Sequence, residues 1–154
     1  MKISLLIIAI LLVLGVSYFI YLAYLSQKAE SPGLTDNSQL TRCPDSPNCI
    51  NTEYSEDTSH YTPPLSSAGL SDTDAMQNIL QAIKLTGGEA HLVEQHYIAA
   101  TYTSRLFRFV DDVEIRLDTK TEQIHLRSAS RQGHSDLGAN LKRINKIKRA
   151  FIKQ

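Results

Sequence analysis

The sequence lacks net charge. Its 154 residues carry 16 basic and 16 acidic side chains. Taken alone, that balance argues against a strongly basic nucleic-acid binder and against an acidic tail. It is a cancellation, however, and not an even mixture. All 16 acidic residues lie between Glu30 and Asp136. Residues 26–140 set nine basic side chains against those 16, a sum of −7. Residues 141–154 hold six basic residues (Lys142, Arg143, Lys146, Lys148, Arg149, Lys153) and no acid, and Lys2 supplies the last positive charge. A basic terminal surface is therefore still open.

Charge is also absent from Ile3 to Leu25, where 20 of 23 residues are apolar. The other 131 residues hold 45 of the 65 apolar ones, about 34%, so the core of the single small domain they form is modest. At 1.5 Å per residue a helix over 3–25 covers about 34 Å, enough for a bilayer core of about 30 Å. Tyr18, Tyr21 and Tyr24 gather at its end, where aromatic side chains favour the membrane interface. A cleaved signal peptide has a shorter apolar region and a small-x-small site. The Tyr21–Ser26 stretch lacks such a site, so an uncleaved transmembrane anchor is expected. Lys2 precedes the run, while Lys28 and Glu30 cancel after it. The positive-inside rule then favours a single-pass protein of the cytoplasmic (inner) membrane, with its N-terminus inside and its domain in the periplasm or an equivalent space.

Cysteine is scarce. Cys43 and Cys49 are the only two, with Pro44 and Pro47 between them. A disulfide there closes a tight loop and suits an oxidising compartment; two free thiols are the alternative. No second Cys/His pair follows at zinc-finger spacing, and the acidic cluster Asp111, Asp112 and Glu114 lacks a calcium-loop pattern, so no metal is expected. No motif calls for a cofactor. The glycine spacing and Lys-Ser/Thr of a phosphate loop are missing too. Nucleic acid is not an expected partner, since no aromatic platform accompanies the basic residues.

Residues 26–41 are polar, with Pro32 and Gly33, and read as a linker to a domain over 42–154. Residues 42–70 hold the remaining four prolines and read as irregular, pinned by the Cys43–Cys49 loop. Ser71 with Asp74 resembles a capping box. Ala75, Met76, Ile79, Leu80, Ile83 and Leu85 follow at helical spacing, and Gly87-Gly88 stops a helix over 72–86. Four strands follow, over 89–94, 97–104, 110–117 and 123–130. In the third, Val113, Ile115 and Leu117 oppose Glu114 and Arg116. In the fourth, Ile124, Leu126 and Ser128 oppose His125, Arg127 and Ala129. Short links make them antiparallel. A last helix starts from Ser135 as N-cap, with Asp136 in its first turn. Leu137, Leu141, Ile144, Ile147 and Phe151 form its apolar stripe. The order α-β-β-β-β-α gives an α+β domain: a four-stranded antiparallel sheet flanked by two helices.

No motif specifies a reaction. The segment Arg127 to Gly138 leaves a strand, turns at Gly133 and enters a helix N-terminus, which attracts anions. Arg127 and Arg131, with the Ser128 and Ser130 hydroxyls, are candidate ligand donors, and Asp111, Asp112 and His60 complete the candidate ligand-binding set. The competing reading pairs those arginines with Asp111, Asp112 or Glu114. The basic side of the last helix (Lys142, Lys146, Arg149, Lys153) is a further candidate for anionic headgroups, against an ordinary solvated face. The expected function is non-enzymatic binding of an anionic small molecule, lipid headgroup or envelope partner. The alternatives are a hydrolase using Asp111, Asp112, His60 or a cysteine, or a structural subunit of a membrane assembly.

Four segments together resemble the domain of unknown function 1499 family. They are Cys43-Pro44-Asp45-Ser46-Pro47-Asn48-Cys49-Ile50; His60-Tyr61-x-Pro63; Phe109-x-Asp111-Asp112-Val113-Glu114; and Arg127-Ser128-Ala129-Ser130-Arg131-x-Gly133-x-Ser135-Asp136-x-Gly138-x-Asn140. The resemblance covers about residues 40–152. It implies a small, exported or membrane-anchored protein and assigns no catalytic role.

Overall fold

A computed structural model describes residues 2–153. The uncharged run forms one continuous helix, α1 (Lys2–Lys28), with a lysine at each end. Its 27 residues rise about 40 Å. It is long and apolar enough to cross a membrane by length and composition.

The rest is α+β. Strands β1 (Cys49–Asn51) and β2 (Leu65–Ser66) precede helix α2 (Asp72–Leu85). Then come β3 (Glu89–Val93), β4 (Tyr97–Thr103), β5 (Val110–Asp118), β6 (Gln123–Ser130) and helix α3 (Ala139–Ile152). The sheet order is β1-β6-β5-β4-β3, with β2 also paired to β6, and every pairing is antiparallel. The alternation read from the sequence decides which face is buried against the helices. Ile98, Val113, Ile115, Leu117, Ile124 and Leu126 share a core with Ile79 and Ile83 of α2 and Ile144, Ile147 and Phe151 of α3. Each such side chain contributes about 1.5–3 kcal/mol on burial. Ser71 caps α2 through the Asp74 N–H at 3.1 Å, and Gly87 leaves the helix at φ 94°.

The sheet has six strands, not four. β1 and β2 lie in the stretch expected to be irregular. They are three and two residues long, too short to carry an alternation, and they form because β6 has an edge to satisfy. The last helix also starts later than expected. Ser135 is not its N-cap. Leu137 and Gly138 take left-handed conformations (φ 53° and 76°), which a right-handed helix does not carry. Gly138 is the N-cap instead, and Asp136, two residues before it, accepts from the Gly138 and Asn140 N–H groups at 2.9 and 2.6 Å. Leu137 therefore drops out of the apolar stripe and stands 88% exposed.

The second face of the sheet carries Asp112, Glu114, Arg116, His125 and Arg127. These need partners if they are to be covered, and the N-terminal part of the chain supplies them. The stretch expected as a linker, 26–41, lies against this face. The Ser26 hydroxyl accepts from the Val110 N–H, the Gly33 N–H donates to Glu114, and Leu40 is buried beside Tyr97 and Ala99. One face is thus an apolar helix-packed core, and the other a polar seam that fixes the exit of α1.

Candidate functional site

The candidate donors from the sequence fall into separate networks. Arg127 and Glu114 are paired across β6 and β5 and ion-paired at 2.9 Å, with side chains 7% and 0% exposed. Glu114 also accepts from the Tyr97 hydroxyl at 2.8 Å and the Gly33 N–H at 2.9 Å. Burial pushes the Glu114 carboxyl above the usual carboxylate range, against the pull of Arg127 and the Tyr97 hydroxyl. Arg131 grips Asp112 with two nitrogens, at 2.7 and 2.9 Å, and gives a third bond to the Ser26 carbonyl at 3.1 Å. Both arginines have internal carboxylates, as the competing reading required.

Asp111 points to the opposite face of β5 and binds Arg143 at 2.5 Å. Ser128 donates to the Asn140 carbonyl oxygen at 2.6 Å, and Ser130 accepts from the Asn140 amide at 3.1 Å. Asn140, fully buried, also donates to the Asn48 carbonyl at 2.8 Å. The Asn48 amide in turn reaches the Gly133 carbonyl. These bonds tie the Cys43–Cys49 loop to the start of α3. His60 belongs to that loop region: its Nδ1 meets Asp57 at 2.8 Å and its Nε2 faces the Ser46 carbonyl at 3.3 Å. Cys43 and Cys49 form a disulfide, which removes the free thiol that a cysteine nucleophile needs.

A different cleft carries unspent charge. It has a volume of about 410 Å³ and is lined by Thr86, Tyr102, Ala139, Lys142, Arg143 and Lys146. Its floor is built from the end of α2 and from β4. The Thr86 and Tyr102 hydroxyls share a hydrogen bond at 2.7 Å, and burial raises the Tyr102 phenol. Arg143 is fixed over the Tyr102 ring at 4.9 Å by Asp111 and Ser128. Among the described residues, the Lys142 ammonium has one hydrogen-bond partner, the Leu137 carbonyl at 3.4 Å. Lys146 has no hydrogen-bond or ion-pair partner among the described residues. The two ammonium groups stand four residues apart on one helix face, where like charges repel mildly. An anion between them relieves that repulsion. The sequence marks both lysines as a basic side of α3. What it does not reveal is that Tyr102 and Thr86 complete a cleft beside them.

The fold and these networks define a class: a small α+β domain, continuous with one long apolar helix, whose motif segments serve one another. The Cys43–Ile50, Phe109–Glu114 and Arg127–Asn140 segments meet through Asn48, Asp112, Arg131 and Asn140. The chain belongs to the family described as "Protein of unknown function (DUF1499)", which matches residues 39–151. No curated protein matches the chain.

Proposed function

We propose that the protein is a single-pass, membrane-anchored binding domain that holds a phosphate-type anion, as a lipid headgroup or a free phosphate ester, in the Lys142–Lys146 cleft. The tether reading rests on α1, which has charge only at its two ends and is exposed from Ile3 to Tyr21. The disulfide favours an oxidising compartment, hence a domain in the periplasm or an equivalent space beyond the inner membrane. The anion reading rests on one contrast. Arg127, Arg131 and Arg143 each face a carboxylate, whereas Lys142 and Lys146 line the cleft with no acidic partner among the described residues.

The function is binding, not catalysis. His60 is held by Asp57 and the Ser46 carbonyl, Asp111 by Arg143 and Asp112 by Arg131, so each is engaged by a different partner. The test is an NMR titration of the full chain in phosphatidylcholine nanodiscs with glycerol 3-phosphate. A second series replaces part of the lipid with phosphatidylglycerol. Shifts at Tyr102, Lys142 and Lys146 are expected, with at least tenfold weaker binding in the Lys142→Gln, Lys146→Gln double variant. A response to the free ester identifies a soluble ligand, and a response to the lipid alone identifies a headgroup. No response to either overturns the reading.

A further inference from the structure

The loop between β4 and β5 presents apolar side chains that the core does not use. Leu106 is 81% exposed and Phe107 is exposed beside it, with exposed Arg105 and Arg108 on either side. The loop does not project into open space. It runs down the flank of α1. At its upper end the Val110 N–H meets Ser26 and the Arg108 carbonyl meets Gln27. At its tip the Phe107 ring stacks on Phe19 with centroids 5.5 Å apart, and Leu106 and Phe107 share a cavity wall with Ile20, Ala23 and Tyr24. Ser26 to Phe19 is seven residues, so the loop descends about 10 Å along the helix, toward the middle of the apolar run.

On another side of α1, Phe19 and Leu22 meet Phe109, Ser135, Asp136 and Ala139 around a cavity of about 280 Å³. The entry to α3 is therefore also beside the helix, and there Leu137 is held outward in its left-handed conformation.

We infer that Leu106, Phe107 and Leu137 form a wedge that enters the headgroup–acyl boundary of the leaflet through which α1 emerges. The inference rests on the reading of α1 as a membrane span. The occupant of this surface is lipid because the surface is continuous with α1. A side chain stacked on Phe19 lies about 10 Å inward of Ser26, at a depth where α1 itself faces acyl chains. Arg105 and Arg108 flank the tip and can extend to headgroup phosphates while the apolar residues stay below. Ala139 lines both the cavity beside α1 and the basic cleft. The wedge therefore seats the domain on the membrane with Lys142 near the level of lipid phosphates.

The chain contains no tryptophan, so single substitutions give clean depth reporters. Phe107→Trp and Leu137→Trp test the wedge. Leu11→Trp, in the middle of α1, tests the span. Val93→Trp sits at the end of the sheet far from the loop, since it pairs with Ile98 near the start of β4. Each variant of the full chain is reconstituted in phosphatidylcholine vesicles with or without bromine on the upper acyl chain. Bromolipid is expected to quench Phe107→Trp and Leu137→Trp at least twofold and to leave Val93→Trp unchanged. If Leu11→Trp is quenched while both wedge reporters behave like Val93→Trp, the wedge is wrong and the span stands. If Leu11→Trp is not quenched, the span itself fails and the wedge with it. Protection of the wedge reporters from both bromolipid and aqueous iodide means that protein covers them, which also overturns the inference.

Discussion

Glu114 and Arg127 face each other on neighbouring strands as a buried ion pair, and that pair also holds the start of the domain. The Gly33 N–H closes onto the same carboxylate, so a residue five positions past the end of α1 is bonded to the middle of β5. Arg131 extends the arrangement to the helix itself, bridging Asp112 to the carbonyl of Ser26 in the last turn of α1. These side chains do not merely tolerate burial on a polar face. They fix the angle at which α1 leaves the domain.

Breaking the ion pair on one side leaves an uncompensated buried charge, which costs about 3–5 kcal/mol. Glu114→Gln is expected to lose that much in denaturant melts of the full chain in detergent micelles. Arg127→Met leaves a carboxyl already pushed up by burial, and it should rise further without its counterion. A group whose folded value lies above its unfolded one stabilises at low pH and loses that contribution as pH rises through the folded value. Arg127→Met should therefore be more stable at pH 5 than at pH 7. The Glu114→Gln, Arg127→Met double variant should recover most of the loss, and additive losses would show that the pair does not act as a unit.

Asn140 joins three elements: β6 through Ser128 and Ser130, the Cys43–Cys49 loop through Asn48, and its own helix through Arg143. Asn140→Ala removes the acceptor of the buried Ser128 hydroxyl and leaves the Asn48 carbonyl with the Ser130 N–H alone, at about 1–3 kcal/mol. Asn140→Asp keeps the acceptor but turns a carboxylate oxygen toward the Asn48 carbonyl, so it should not rescue stability. Thermal melts of the two variants against the parent check both statements.

The disulfide closes a short loop just before β1, and Cys49 itself is buried opposite Ala129. Removing it through Cys43→Ser with Cys49→Ser is expected to cost about 2–3 kcal/mol. Hydrogen exchange should accelerate first at Ile50 and Asn51, whose strand has only three residues to hold it to β6. If exchange rises evenly across the sheet instead, the bond does not act locally.

Much of the fold is legible in the sequence because it rests on local periodicity. Val113, Ile115 and Leu117 alternate, Ile79 and Ile83 repeat at helical spacing, and Ser71 with Asp74 marks a helix start. Strands β1 and β2 are illegible because pairing with β6, not their own pattern, makes them strands. The start of α3 is misread because Ser135 is a good cap residue, and only the left-handed backbone at Leu137 and Gly138 moves the N-cap on to Gly138. The candidate site follows the same division. Glu114 and Arg127 are visible as charged residues on one face of each strand. That they are partners depends on the β5–β6 register. The cleft needs Thr86, Tyr102 and Lys146 to meet, and nothing local in the chain announces that.

His125 gives a pH signature of opposite sign to that of Arg127→Met. Its ring is buried on the polar face, where Nδ1 donates to the Thr52 carbonyl at 3.2 Å. Burial lowers its pKa below the usual 6.5, and Arg116 adds to that, while Glu53, Asp118 and the Thr52 carbonyl pull the other way. The folded value is thus below the unfolded one, so the unfolded chain takes up the proton more readily. The contribution to stability is complete above about pH 6.5 and is lost as pH falls through the lower folded value. His125→Asn keeps a donor for Thr52 but cannot be charged. Its melting temperature should lie below that of the parent at pH 7.5 and change less between pH 7 and pH 5. Parallel curves for the two proteins over that window would show that His125 is not a source of acid sensitivity.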